Sequence, residues 1–162
     1  MTGSHFTVLS RVMLTMLLVL PALPTWAEDQ PASSNMDIVR EKLRADKKLL
    51  VAENLGLTEA QAKSFWPLYG SYQKDLSKLG DRMIALIQSY AKDYETMTNE
   101  AAKNLVDEYL DIEADRQALR KAYLPKFRNV LPETKVARYY QLEQKIHALV
   151  SFELAAQIPL VK

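Results

Sequence analysis

Between Phe65 and Tyr90 the chain sets an aromatic or aliphatic side chain on a regular rhythm: Phe65, Tyr69, Tyr72, Leu76, Leu79, Met83, Leu86 and Tyr90, spaced 4, 3, 4, 3, 4, 3, 4. A strand would alternate every second residue, so this spacing admits only a helix, and a long one that needs a partner along its seam. The rhythm returns from about Asn99 in Ala102, Leu105, Tyr109, Ile112, Leu119 and Tyr123, with Arg116 in the seam position between Ile112 and Leu119. The polar Ala91–Thr98 stretch turns the chain between the two. Two such seams joined by a short turn predict a long antiparallel helical hairpin. Pro67 and Pro125 lie inside the two runs. Each ring removes an N–H and crowds the preceding turn, so a bend is expected near Ser64 and Phe65, and a bend or an end near Pro125.

Helices are also expected on either side. Asp37 to Asn54 carries Ile38, Leu43, Leu49 and Leu50 among many charges, and Gly56 supplies a left-handed stop. A last helix begins around Leu131, Pro132 and Glu133, carries Val136, Tyr139, Leu142, Ile146 and Leu149, and is stopped by Pro159. No segment alternates like a strand. The fold class is therefore all-α, about four helices built around the hairpin, with kinks near Pro67 and Pro125.

The sharpest local signal is Leu57-Thr58-Glu59-Ala60-Gln61. Thr58 followed three residues later by Gln61 makes a capping box, in which the hydroxyl accepts the Gln61 N–H and the Gln61 side chain accepts the Thr58 N–H. A shift of 74 residues lays this helix start, with Phe65 and Trp66, over Leu131-Pro132-Glu133-Thr134-Lys135, with Tyr139 and Tyr140. Pro132 and Lys135 replace the Thr and Gln of the box, and Leu131 remains. A fainter copy of the opening is Met97-Thr98-Asn99-Glu100-Ala101.

A Leu-Thr-x-x-Gln motif at a helix start, echoed later in a small helical chain, resembles the Spy/CpxP family of periplasmic stress proteins. The residues that carry the likeness are Leu57, Thr58, Gln61 and Leu131. The resemblance implies an all-helical, commonly dimeric and cradle-shaped protein. It also implies one of three roles: an ATP-independent chaperone, an inhibitor of an envelope-stress sensor kinase, or a metal-responsive relative.

The N-terminus fits that setting. Arg11 leads into the apolar run Val12–Leu20, then Pro21, Pro24 and Thr25-Trp26-Ala27 ahead of Glu28. The run is too short and too proline-bound for a membrane span, and small residues at Thr25 and Ala27 suit signal-peptide cleavage. Residues 1–27 are thus expected to be a signal peptide, 28–36 a flexible leader, and 37–162 one helical domain in the periplasm, with no stable membrane insertion after cleavage. Without Arg11 the mature chain has 20 basic and 20 acidic residues, a net charge of zero, so it lacks the positive field on which nucleic-acid binding relies. No cysteine is present, which excludes disulfides, thiol catalysis and a lipid-modified N-terminal cysteine.

The chemistry inventory is short. His147 is the single histidine after residue 27, and Gly56, Gly70 and Gly80 match no phosphate-binding loop. Glu143 and His147, four apart, read as a helix-surface pair rather than a metal site. Asp107, Glu108, Asp111, Glu113 and Asp115 read as a solvated helix face. No catalytic residue, metal site or cofactor is expected, and an enzyme is not.

Charge is segregated instead. Residues 93–115 hold eight acids and one base, net −7, while residues 116–138 hold seven bases and one acid, net +6. Blocks of this length suit association, and an antiparallel homodimer with acidic facing basic block is expected. Trp66 steps off the seam beside Pro67 and is the best candidate for an exposed apolar contact. With Pro67, Tyr140 and the cations Arg116, Arg120, Lys121, Lys126 and Arg128, it forms the expected surface for unfolded or envelope proteins. The alternative is a regulatory or sensory domain that binds the periplasmic region of a membrane protein, with or without metal.

Overall fold

The computed structural model describes residues 32–161, with side chains from Lys42 onward other than that of Leu43. The signal-peptide reading of residues 1–27 and leader residues 28–31 lie outside the described residues, while residues 32–36, expected as flexible leader, are the first turns of a helix. The chain divides into two units, residues 1–38 and 39–162. Of the first, only Ala32–Ile38 are described, as the opening of a helix. The second unit carries the core and every contact described below.

Four α-helices and one 3-10 turn make up the fold: α1 (Ala32–Leu55), α2 (Glu59–Asp93), the 3-10 turn Tyr94–Thr96, α3 (Asn99–Arg128) and α4 (Glu133–Gln157). No strand occurs among the described residues, and the fold is all-α. α1 starts at Ala32, ahead of the Asp37 expected from sequence. α2 runs on through Pro67, and α3 continues past Pro125 to Arg128, so Pro125 does not end it.

The boundaries obey local chemistry. Gly56, at φ +51°, takes the left-handed conformation that releases the chain from α1 at little cost to a residue without Cβ. Thr58 then opens α2 with the full capping box: its Oγ1 accepts the Gln61 N–H at 3.3 Å, and Gln61 Oε1 accepts the Thr58 N–H at 3.2 Å. Thr98 opens α3 in the same way on one side only, accepting the Ala101 N–H at 3.1 Å. α4 opens at Pro132 with no side-chain cap, as the loss of Thr and Gln from the second motif requires.

α2 and α3 run antiparallel. Phe65 meets Phe127, Tyr72 meets Tyr123, and Arg82 meets Glu108 and Asp115, so rising numbers on one helix pair with falling numbers on the other. The core lies at the end of this pair nearest Phe65. Phe65, Tyr69, Tyr72, Tyr123, Phe127 and Tyr139 are buried there with Val51, Leu55, Leu131 and Val136, so all four helices contribute. The rings meet mostly edge to face; Phe65 and Tyr139 lie 5.3 Å apart at 87°, Phe127 and Tyr139 4.7 Å apart. Each such pair adds about 0.5–1.5 kcal/mol beyond the area it buries.

The α2 seam is buried at Phe65, Tyr69, Tyr72, Leu79 and Tyr90 and half-buried at Leu76, Met83 and Leu86. The α3 and α4 seams hold less completely. Ile112 and Tyr123 are buried but Tyr109 is exposed, and α4 loses its partner after Ile146, leaving Leu149 64% exposed. In α1 the exposed residues are Leu49 and Leu50, and the anchors are Val51 and Leu55.

Candidate functional site

The two copies of the helix-start motif stand side by side. Lys135, which occupies the position of Gln61 in the second copy, donates from Nζ to Gln61 Oε1 at 2.9 Å and to the Gly56 carbonyl at 2.6 Å. Arg138, one turn on, donates to the Asn54 carbonyl at 3.2 Å. Two cations of α4 thereby satisfy carbonyls at the C-terminal end of α1, where a helix leaves its acceptors unpaired and its dipole favours positive charge. Leu131 is buried and Leu57 half-buried against the same core. Leu57, Thr58, Gln61 and Leu131 thus form a structural junction that fastens α1, α2 and α4 together.

A second junction is not legible from spacing. Glu143, read from sequence as a surface partner of His147, is only 8% exposed, and both its oxygens are engaged elsewhere. Oε2 accepts from Lys47 Nζ at 2.8 Å, and Oε1 from Gln73 Nε2 at 3.1 Å; Gln73 also reaches the Tyr139 hydroxyl at 3.5 Å, and Lys47 donates to Gln73 Oε1 at 2.9 Å. α1, α2 and α4 meet in this network. Burial first, then the nearby Glu143 carboxylate, pushes the Tyr69, Tyr72 and Tyr139 phenols above their ordinary range.

His147 faces Ser151, at 3.4 Å from Nδ1, instead of Glu143. Burial and then Arg116 hold its imidazole below the ordinary histidine value. Among the described residues no group of three or more His, Asp or Glu side chains gathers as a metal site.

The surface expected around Trp66 is divided by the core. Trp66 is half-buried, not exposed: its indole packs against Phe65 and Tyr69, and Lys48 of α1 lies over the ring at 5.3 Å. The covering helix α1 is what the off-seam position of Trp66 does not disclose. Pro67 is exposed beside it. Tyr140 lies on the α3 side instead, where its hydroxyl donates to the Arg120 carbonyl at 2.7 Å and Arg120 stacks over its ring at 5.7 Å.

The cations divide similarly. Arg116 is held against Glu113 at 3.4 Å, Lys126 lies 4.2 Å above the Tyr123 ring, and Arg128 pairs with Glu133 at 3.0 Å. Lys121 is exposed. Tyr140 and Arg120 are therefore brought together, while Trp66 and Pro67 stand apart from them.

The acidic face of α3 is partly spent inside the chain, which corrects its reading as merely solvated. Arg82 of α2 donates to both Glu108 oxygens and to Asp115, and these partners raise its pKa above the usual arginine value. Lys103 pairs with Asp107 at 2.8 Å. Asp75 accepts from Lys78 and from the Tyr123 hydroxyl, and those two bonds hold its carboxyl below the ordinary range.

What spacing misses is the apolar surface at the other end. Val106, Tyr109 and Leu110 on α3 and Leu149, Val150 and Phe152 on α4 are all exposed, Phe152 by 70%. Val106 and Tyr109 border one apolar groove with Met83, Leu86 and Ile87 of α2, and exposed apolar surface of this kind marks interaction sites. The signal for it in the sequence is the doubling of the seam, in Val106 beside Leu105 and Leu110 beside Tyr109. No described helix is long and apolar enough to cross a membrane. No protein-family model, curated protein or solved structure matches the chain.

Proposed function

We propose that this chain is an exported, non-enzymatic binding protein of the Spy/CpxP type, an ATP-independent chaperone that holds unfolded or envelope proteins in the periplasm, working as a homodimer. The observation that supports this most is the exposed apolar side chains that α3 and α4 each carry among charged ones. Exposed Val106, Tyr109, Leu110, Leu149, Val150 and Phe152 lie on helices that also carry Asp107, Glu108, Asp111 and Glu153. An unfolded client shows apolar and charged segments together, and a surface offering both holds it weakly without a shaped pocket. Release then comes as the client buries its own core.

The homodimer rests on the −7 and +6 blocks of residues 93–115 and 116–138. Within the chain, Arg82 from outside the blocks takes Glu108 and Asp115, and Arg116 of the basic block pairs with Glu113 of the acidic one. The charges left for a second copy therefore include Asp111 and Lys121, both exposed. Such pairs weaken with salt, since the screening length is about 8 Å at physiological ionic strength.

The test is an aggregation assay. The mature chain, without nucleotide, should slow aggregation of two unrelated unfolding proteins at several-fold molar excess. No protection, together with tight binding of a single envelope partner, would replace this reading with that of a regulatory domain.

A further inference from the structure

α4 ends where Pro159 forbids its continuation. The Ile158 N–H closes the last turn on the Leu154 carbonyl at 3.0 Å, and Ile158 itself is extended, at φ −89° and ψ 116°, as a residue ahead of proline prefers. The segment Ile158–Val161 then lies against the far ends of α2 and α3, over a groove walled by Met83, Leu86 and Ile87 on one side and Leu105, Val106 and Tyr109 on the other. One polar contact fastens it: the Tyr90 hydroxyl donates to the Pro159 carbonyl at 2.8 Å.

The fit is loose. The groove that the tail and these walls border, about 350 Å³, stays open to solvent, and Leu160 is 88% exposed. An apolar groove left open to solvent beside four residues of chain is an unmet contact surface. The tail also shows what the groove accepts. Its walls are apolar, and Tyr90 supplies one hydroxyl to a main-chain carbonyl, a contact that any extended peptide can make whatever its side chains.

We propose that the groove between the far ends of α2 and α3 is a binding site for a short, extended, apolar peptide segment, and that Ile158–Val161 is its displaceable internal occupant. This rests on the binding-protein reading and gives it a location. The tethered tail competes with any incoming segment at an effective concentration in the millimolar range, so unseating it should tighten peptide binding by roughly tenfold or more.

The experiment uses the mature chain at full length and a fluorescein-labelled peptide of sequence Gln-Ile-Pro-Leu-Val-Lys, followed by anisotropy. A variant with Ile158→Asp and Leu160→Asp, which unseats the tail, should bind the peptide at least about tenfold tighter than the parent. Adding Val106→Asp, at an exposed position on the groove wall, should reverse the gain while circular dichroism stays unchanged. Equal binding by parent and tail variant, no binding by either at millimolar peptide, or indifference to Val106→Asp would overturn the site. Loss of helix in the tail variant would overturn the claim that the tail is displaceable. The aggregation assay separates the two proposals: protection that survives Val106→Asp leaves the chaperone reading standing without this groove. Peptide binding without protection leaves the groove standing without that reading.

Discussion

The two ends of the α2–α3 pair are built from the same spacing and end up as different materials. At the Phe65 end, α1 and α4 close over the seam. Phe65 and Phe127 have no exposed surface, Tyr139 has almost none, and Glu143, Lys47 and Gln73 satisfy one another beneath α1. At the Tyr90 end α4 loses its apolar partners after Ile146, and the pair is held by Arg82 across to Glu108 and Asp115. Apolar side chains there face solvent or a loosely seated tail. A heptad-like seam therefore specifies that a helix pairs, and the number of further helices laid over it decides whether its residues become core or contact surface.

Substitutions should separate the ends sharply. Phe127→Ala, at the aromatic end, is expected to cost about 3–5 kcal/mol in urea unfolding, because it removes a fully buried ring and leaves a cavity. Leu110→Ser, at the open end, should stay within about 0.5 kcal/mol, since it removes no buried contact. Equal losses at the two sites would break the comparison.

The next effect is that of the buried ion pair. Glu143→Met alone strands Lys47 and Gln73 and should cost about 1–3 kcal/mol by chemical denaturation. The cost stays below that of breaking a fully enclosed pair because the Lys47 side chain is 18% exposed and can turn toward water. Pairing it with Lys47→Met should recover most of the loss, because no unpaired charge remains. A double variant as unstable as the single one would show that the network does more than neutralise its own charges.

The cap at Thr58 is expected to matter less. Thr58→Ala removes the acceptor of the Gln61 N–H and should cost about 1 kcal/mol in thermal or urea unfolding.

The smallest effect is a pH step at the border between the ends. The His147 imidazole is held below its ordinary value, so the folded chain takes up this proton less readily than the unfolded chain. Stability from this group is complete above about pH 6.5 and is lost as the pH falls from there through the folded value. His147→Gln should remove that step from a pH series of unfolding midpoints and leave the rest of the curve in place.

Much of this architecture is legible in the sequence because it is local. The 4-3-4-3 spacing locates α2 and α3, Gly56 marks the end of α1, and Thr58 with Gln61 locates the start of α2. What stays hidden depends on which elements meet. Lys47 and Glu143 are separated by 96 residues, and no spacing rule links them. Glu143 beside His147 has the pattern of a surface pair, and only the arrival of α1 turns it inward. Trp66 looks off-seam when α2 is read alone, yet Lys48 covers it. Leu149 continues the α4 rhythm but outlasts the partners that would bury it. In α1, Leu49 and Leu50 are as apolar as Val51 and Leu55, and only the position of the neighbouring helices decides which of them is buried.

The proposed division of labour between the ends can be read in one measurement, hydrogen–deuterium exchange of residues 28–162 alone and with an unfolded client. Without client, the slowest amides should fall in residues 65–73, 123–128 and 136–143. Addition of client should slow exchange in residues 83–110 and 149–161 and leave the aromatic end unchanged. Client protection confined to the aromatic end, or the slowest exchange at the Tyr90 end, would contradict a molecule that folds by one end and binds by the other.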